Sequence, residues 1–233
     1  MSGEPPSLDR SGRIGVAREY LRIAVQAALL FGSFGGFAWP AAWLYLGLVL
    51  AFQSTLTAML LRRNPELLNA RARLQPGSRS WDLAILVAAF LLGYVALAAA
   101  GLETRRSGDA SLSAGRVLVG IAGMASAFAL ILRAMIENPH FEGLVRIQTE
   151  RGHAVCRSGP YAWIRHPGYA GMILGNLCIP LLLGSRWAAI PAGAAALLLV
   201  LRTALEDRTL QLELTGYLDY AAAVRSRLIP GVW

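Results

Sequence analysis

Two charged residues with helical spacing, Arg202 and Glu206, follow a long apolar run near the C-terminal end of the chain. Residues four apart lie on one face of a helix, so the two side chains are neighbours there. An arginine guanidinium can bind a carboxylate through two parallel hydrogen bonds, and a glutamate can accept hydrogen bonds from a cationic ligand. The ordinary alternative is an i,i+4 ion pair at the lipid–water boundary. The pair is therefore a candidate binding site at the membrane edge.

A second candidate lies in residues 165–169, which read Arg-His-Pro-Gly-Tyr. Proline is favoured at the first position of a helix, and the free N–H groups of a first turn can bind a carboxylate or a phosphate. Gly168 and Gly171 would allow close approach to the backbone. Aromatic faces for a cation could come from Tyr161, Trp163 and Tyr169. The alternative is a helix start within an interfacial belt of aromatic residues.

The remaining polar residues of this region carry weaker signals. Gln148 and His153, taken alone, are more typical of local hydrogen bonding in a loop. Cys156 and Cys178 give no disulfide framework, and neither they nor the three histidines have the spacing of metal ligands. No metal site is predicted.

The composition indicates lipid as the solvent. Of the 233 residues 55% are hydrophobic and only 15% charged, whereas a soluble domain carries about 25% charged residues. All 22 basic residues are arginine, a usage typical of a GC-rich bacterial genome. These arginines flank apolar runs and do not line one polar face. The net charge of +8 therefore favours anionic lipid headgroups over nucleic acid as the partner.

Charge-free windows predict an all-α, polytopic membrane bundle of about six transmembrane helices. Residues 23–61 are free of charge over 39 positions, nearly twice the roughly 20 residues that cross a bilayer. Gly35, Gly36 and Pro40 should break this run into a hairpin. Further spans are predicted at 83–102, 117–132, 167–185 and 187–201. Residues 1–22 are expected to be a retained amphipathic segment and not a signal peptide.

The arginines also predict the orientation. Eighteen of the 22 lie in the N-terminal segment, the 62–82 loop, the 133–166 segment and the C-terminal tail. The positive-inside rule therefore places both termini in the cytoplasm, in a bacterial inner membrane. One structural domain is expected, with about four spans in residues 1–136 and the functional region in 137–233.

The polar segments occur in a specific order over residues 138–233 that resembles the isoprenylcysteine carboxyl methyltransferase family of membrane enzymes. That order is a Gln, a Gly-His, a Gly-x-Tyr, an Arg-His-Pro-x-Tyr-x-Gly, an Arg-x-x-x-Glu and a Gly-Tyr-x-x-Tyr tail. Each piece alone is weak, and the ordered set is specific. The N-terminal spans resemble the family only in hydropathy.

This resemblance implies an S-adenosylmethionine-dependent O-methyltransferase with a cofactor site at the cytoplasmic face. It implies that Arg202 holds the substrate carboxylate, with Glu206 beside it as a catalytic residue. The acceptor would be a lipophilic small molecule or a prenylated group. The cofactor contacts it implies are Gln148, His153, Ala154, Val155, Cys156, Tyr161, His166, Pro167, Gly168, Tyr169 and Glu206.

Three other functions remain open from the sequence. A phospholipid N-methyltransferase would share the cofactor and the architecture, but its amine acceptor needs no arginine clamp. A sterol-type reductase using NADPH has a similar His-Pro-x-Tyr-x-Gly motif, which an acidic residue follows, whereas Met172 stands here. A membrane scaffold without enzymatic activity would bind neither cofactor.

Overall fold

A computed structural model describes residues 7–73, 76–111 and 113–233, which form eight α-helices and two short 3₁₀ turns without strands. The six long helices are α1 (Arg10–Phe34), α2 (Pro40–Arg63), α4 (Ser80–Ser107), α5 (Ala114–Glu137), α6 (Pro167–Leu183) and α7 (Ala189–Glu213). The short helices are α3 (Pro65–Arg71) and α8 (Tyr217–Ala223), and the 3₁₀ turns are Thr149–Arg151 and Gly159–Ala162.

The hairpin predicted within residues 23–61 is present, α6 and α7 form a second one from the spans predicted at 167–185 and 187–201, and each turns at a glycine. Gly35 ends α1 with a φ of +84°, and Pro40 is the first residue of α2. Gly184 ends α6 with a φ of +71°. Glycine adopts this left-handed conformation without the steric cost that a Cβ would add. The sequence therefore encodes both reversals locally.

The protein is an integral membrane protein by the length and composition of its helices. Among the described residues, α2, α4, α5 and α7 are long and apolar enough to cross a bilayer, and α6 is a shorter apolar helix of 17 residues. Helix α1 begins at Arg10, well before the predicted start at residue 23, and has four arginines in its first half. Its charge-free part is shorter than the roughly 20 residues that a span needs.

Small residues bring the helices together in the bundle. A Cβ on Gly171 of α6 would lie 2.8 Å from the carbonyl oxygen of Ala127 in α5. A Cβ on Gly101 of α4 would lie 2.8 Å from the carbonyl oxygen of Leu30 in α1. Such close backbone approach is typical of helix packing in membranes. It fixes the first turn of α6 relative to the neighbouring helices.

Candidate active site

A cavity of about 400 Å³ lies at the end of the bundle where α4 begins and α7 ends. Its walls come from α1, the end of α3 and the segment after it, the start of α4, the 138–166 segment, the start of α6, the C-terminal half of α7 and α8. Eleven of the twelve predicted site residues line it, and Pro167 does not. The eleven are Gln148, His153, Ala154, Val155, Cys156, Tyr161, His166, Gly168, Tyr169, Arg202 and Glu206.

Tyr169, in the first turn of α6, contacts both members of the predicted pair on α7. Its hydroxyl donates a hydrogen bond to Oε2 of Glu206, and its ring lies 5.0 Å from Cζ of Arg202. Arg202 and Glu206 form no ion pair with each other in the described part of the chain. Tyr169 is the only donor to the Glu206 carboxylate among those residues, which leaves Oε1 available to a ligand.

Arg202 is bound to a carboxylate that the sequence analysis did not single out. Its Nε and Nη2 lie 2.5 and 2.9 Å from the two carboxylate oxygens of Asp82 in α4, and Nη2 also donates to the carbonyl of Gly143 at 2.7 Å. Asp82 is fully buried and accepts a further hydrogen bond from the N–H of Val145 at 2.7 Å. Burial of a charge requires such pairing. An Asp in the first turn of a helix is ordinary, so no local signal marked it.

A second buried carboxylate, Asp207, binds the segment before α6 to neighbouring parts of the cavity wall. Its side chain is fully buried. It accepts six hydrogen bonds, two of them from Arg165 and one each from His166, Gln211, Tyr217 and Arg227. The N–H groups of Arg165 and His166 donate to the carbonyls of Ser226 and Arg227, both at 2.9 Å. These contacts make the predicted Arg-His-Pro segment part of the scaffold.

The predicted contact Gln148 has its side chain engaged within its own loop. The Gln148 amide donates to the carbonyl of His140 at 2.7 Å and accepts from Arg151 at 2.8 Å. Its backbone N–H donates to Nδ1 of His153 at 3.3 Å. The described contacts of Gln148 therefore shape the loop, and its contact with a cofactor stays a prediction.

His153 is a neutral imidazole at physiological pH. Burial, and after it the nearby His140, lower its pKa to about 4; the two ring centroids are 4.6 Å apart. Burial also lowers the pKa of His140. This part of the cavity wall therefore adds no positive charge.

Other predicted contacts in the segment before α6 give the cavity a mostly apolar and neutral wall. Burial raises the pKa of the Tyr161 hydroxyl, which stays protonated, and it also raises the pKa of the Cys156 thiol. Val155 packs against a cluster that includes Tyr217 and Tyr220. Ala154 is exposed, and its N–H is directed to Nε2 of His140 at 3.5 Å.

The start of α6 has free backbone donors. The N–H groups of Gly168 and Tyr169 have no acceptor among the described residues, whereas the N–H of Ala170 bonds to the carbonyl of His166 at 3.1 Å. A Cβ on Gly168 would lie 2.4 Å from the ring of Phe141. The space beside this glycine, where a ligand could have approached the backbone, is therefore occupied by the Phe141 ring. The free donors remain suited to an anionic group.

The comparison with known families supports one class of function among those left open by the sequence. Residues 122–212 match the model of the isoprenylcysteine carboxyl methyltransferase (ICMT) family. This match, over 91 of the 233 residues, supports an assignment to that family. No curated protein matches the chain. The match supports a membrane methyltransferase and counts against the reductase and the scaffold. The match includes every predicted site residue and leaves out Asp82, α3 and α8.

Proposed function

We propose that this methyltransferase uses S-adenosylmethionine to methylate the carboxylate of a lipidic, isoprenylcysteine-like acceptor. The observation that carries the proposal is the position of Tyr169, which contacts Glu206 and Arg202 inside one cavity. A group for a cationic ligand and a group for an anionic ligand therefore both contact one tyrosine. A reaction between a sulfonium and a carboxylate needs this pairing of charges.

The part of the cavity nearest the 138–166 segment suits the cofactor. Glu206 has a free carboxylate oxygen for a cationic part of the cofactor, and the N–H groups of Gly168 and Tyr169 suit its carboxylate. Neutral His153 does not repel a positive charge. When bound, S-adenosylmethionine supplies a methyl group on a positively charged sulfur. The proposed contacts are the eleven positions implied by the family resemblance, of which only Pro167 lies away from the cavity wall.

The part of the cavity lined by α4 suits a lipid chain. Leu83, Leu86 and Phe90 recur at helical spacing on one face of α4 and line the cavity. Leu83 is 40% exposed and Phe90 is 43% exposed, so the same face reaches the outer surface of the bundle. An acceptor chain could therefore lie along α4 while its polar end reaches Arg202.

The residues of the site act by binding and alignment. A carboxylate acceptor is already ionised near pH 7, so no side chain has to remove a proton. Arg202 would orient the carboxylate, while Tyr169 and Glu206 hold the methyl donor against it. Alignment of two reactants can contribute about 7–11 kcal/mol in favourable cases.

The proposed location is a bacterial inner membrane with both termini in the cytoplasm. The arginine distribution supports this orientation. The cofactor cavity would then open to the cytoplasm, where S-adenosylmethionine is made. The division into N-terminal transmembrane helices in residues 1–136 and a methyltransferase region in residues 137–233 is proposed from the motif order of the second part.

The test uses the protein purified in detergent. Calorimetry should show binding of S-adenosylhomocysteine and none of NADPH. With isotopically labelled methyl donor, label should appear as a base-labile ester on a farnesyl thioether that has a terminal carboxylate. Arg202→Ala should reduce this transfer and leave S-adenosylhomocysteine binding largely intact. Label on the amine of phosphatidylethanolamine, with the carboxylate unlabelled, would replace the proposal by a phospholipid N-methyltransferase.

A further inference from the structure

Arginines outnumber acids on the wall of the cavity. Seven arginines line it, and five of them pair with carboxylates in the described part of the chain. Those five are Arg22, Arg73, Arg146, Arg165 and Arg202. The other two are Arg18, which is exposed and donates to the carbonyl of Ala72, and Arg71, which is partly buried. Arg71 is therefore the partly buried arginine of this wall that could bind an added anion.

Arg71 is the last residue of α3, and its guanidinium is only partly used. Nη1 donates to the carbonyl of Phe141 at 3.1 Å, and Cζ lies 5.7 Å from the ring of the same residue. Nε and Nη2 have no acceptor among the described residues, and neither is buried away from solvent. The Phe141 ring in turn lies against Gly168 at the start of α6. Through Phe141, Arg71 is thus connected to the start of α6 on the cavity wall.

Arg202 alone offers little to a substrate carboxylate. Asp82 takes its Nε and Nη2, and Gly143 takes a second hydrogen of Nη2. Only Nη1 is without a hydrogen bond among the described residues. This guanidinium therefore already forms its bidentate pair of hydrogen bonds with the Asp82 carboxylate. A carboxylate in the cavity needs a second cation.

Arg71 forms no salt bridge with a carboxylate in the described part of the chain. Burial lowers the pKa of Arg71, and the positive charges of Arg202 and Arg22 lower it further. Glu19 and Glu142 act in the opposite direction, but Glu19 is bound to Arg22, and Glu142 is bound to Arg146 and Arg151. An anion bound between Arg71 and Arg202 would offset the free-energy cost of keeping these two positive charges on the cavity wall.

We infer that Arg71 binds the anionic group of the acceptor together with Arg202, so that this group lies between the end of α3 and the end of α7. This inference rests on the proposed function and adds a residue from outside the family match to the site. The region before residue 122 then contributes to the choice of acceptor. A lipid with a carboxylate end would bind, and the same lipid with a neutral end would bind weakly.

The test compares two ligands on variants of the full chain in detergent. The ligands are a farnesyl thioether with a terminal carboxylate and the matched carboxamide. The variants are Arg71→Gln and, as a matched control, Arg63→Gln, an exposed arginine at the end of α2. Arg71→Gln should weaken carboxylate binding about 10-fold to 100-fold, the effect of losing a charged hydrogen bond. Carboxamide and S-adenosylhomocysteine binding should stay within about twofold of wild type, since neither uses the lost charge.

Several results would overturn the inference and leave the proposed function standing. One is an unchanged carboxylate affinity in Arg71→Gln while Arg202→Gln loses it. Another is an equal loss for both amphiphiles, which would make Arg71 a structural residue. Arg71→Met gives the same comparison if the Gln variant fails to fold. Failure of the wild-type protein to bind S-adenosylhomocysteine would instead refute the proposed function itself.

Discussion

The guanidinium of Arg202 forms two hydrogen bonds with the carboxylate of Asp82, which lies 120 positions earlier in the chain. Arg202 is in the family match and Asp82 is outside it. The ion pair joins the start of α4 to the middle of α7, where Arg202 lines the cavity. The site residues of the matched region therefore depend on a helix that carries no family motif.

Asp82→Asn should destabilise the protein by about 3–5 kcal/mol, because it leaves the buried Arg202 without its counter-ion. The midpoint of thermal unfolding in detergent measures this. Glu66→Gln, at an exposed position of α3, serves as the control and should have a small effect. The double variant Asp82→Asn with Arg202→Gln should recover part of the loss. Additive effects of the two substitutions would show that the pair contributes nothing.

Glu206→Gln should weaken S-adenosylhomocysteine binding about 10-fold or more, because a neutral amide replaces the charged acceptor. Calorimetry measures the affinity directly. Glu213→Gln, on the same helix but exposed and bound to Arg79, is the matched control and should bind as wild type does. Equal affinities in Glu206→Gln and wild type would remove Glu206 from the cofactor site.

Much of the fold was predictable because its determinants are local. Gly35, Pro40 and Gly184 end or begin helices through their own backbone preferences. The start of α1 was not predicted. The arginine-rich residues before position 23 are typical of a charged segment outside a span, yet they form the first half of the same helix. The segment that precedes α6 was identified from motif order, which needs no knowledge of contacts.

Acidification should weaken the folded state through His153. The pKa of this residue is lowered to about 4 in the folded protein, from its ordinary value of 6.5, mainly by burial. Below pH 6.5 the unfolded chain binds a proton that the folded chain does not, so stability falls as the pH drops from 6.5 towards 4. Unfolding midpoints across this range measure the effect. In His153→Asn, whose carbonyl can still accept from Gln148, the decline should be smaller; an unchanged decline would exclude His153 as its source.

Gly171→Ala should destabilise the bundle by about 1–3 kcal/mol, because the new methyl group would lie 2.8 Å from the carbonyl oxygen of Ala127. Gly175→Ala, one turn later on α6, is the matched control. Its Cβ would lie 3.7 Å from the Cβ of Ala127, an ordinary contact. Thermal unfolding compares the two, and similar midpoints would contradict the close approach of α5 and α6.

The contacts that the sequence could not supply are long-range. Asp82 and Asp207 look like ordinary helix residues until their partners are known, and those partners are distant in sequence, as with the 42 positions between Arg165 and Asp207. Periodicity and motifs report neighbours within a helix or a loop. They do not report which buried charges meet across the bundle. Arg71 was hidden for the same reason, since its role depends on which other arginines are already paired.

The six hydrogen bonds at Asp207 have a consequence for how the protein fluctuates. One carboxylate joins α7 to the segment before α6 through Arg165, to α8 through Tyr217 and to the tail through Arg227. None of these segments can open alone without leaving part of a buried charge unsatisfied. Their amide hydrogens should therefore exchange with solvent deuterium at one common rate, as a single cooperative unit.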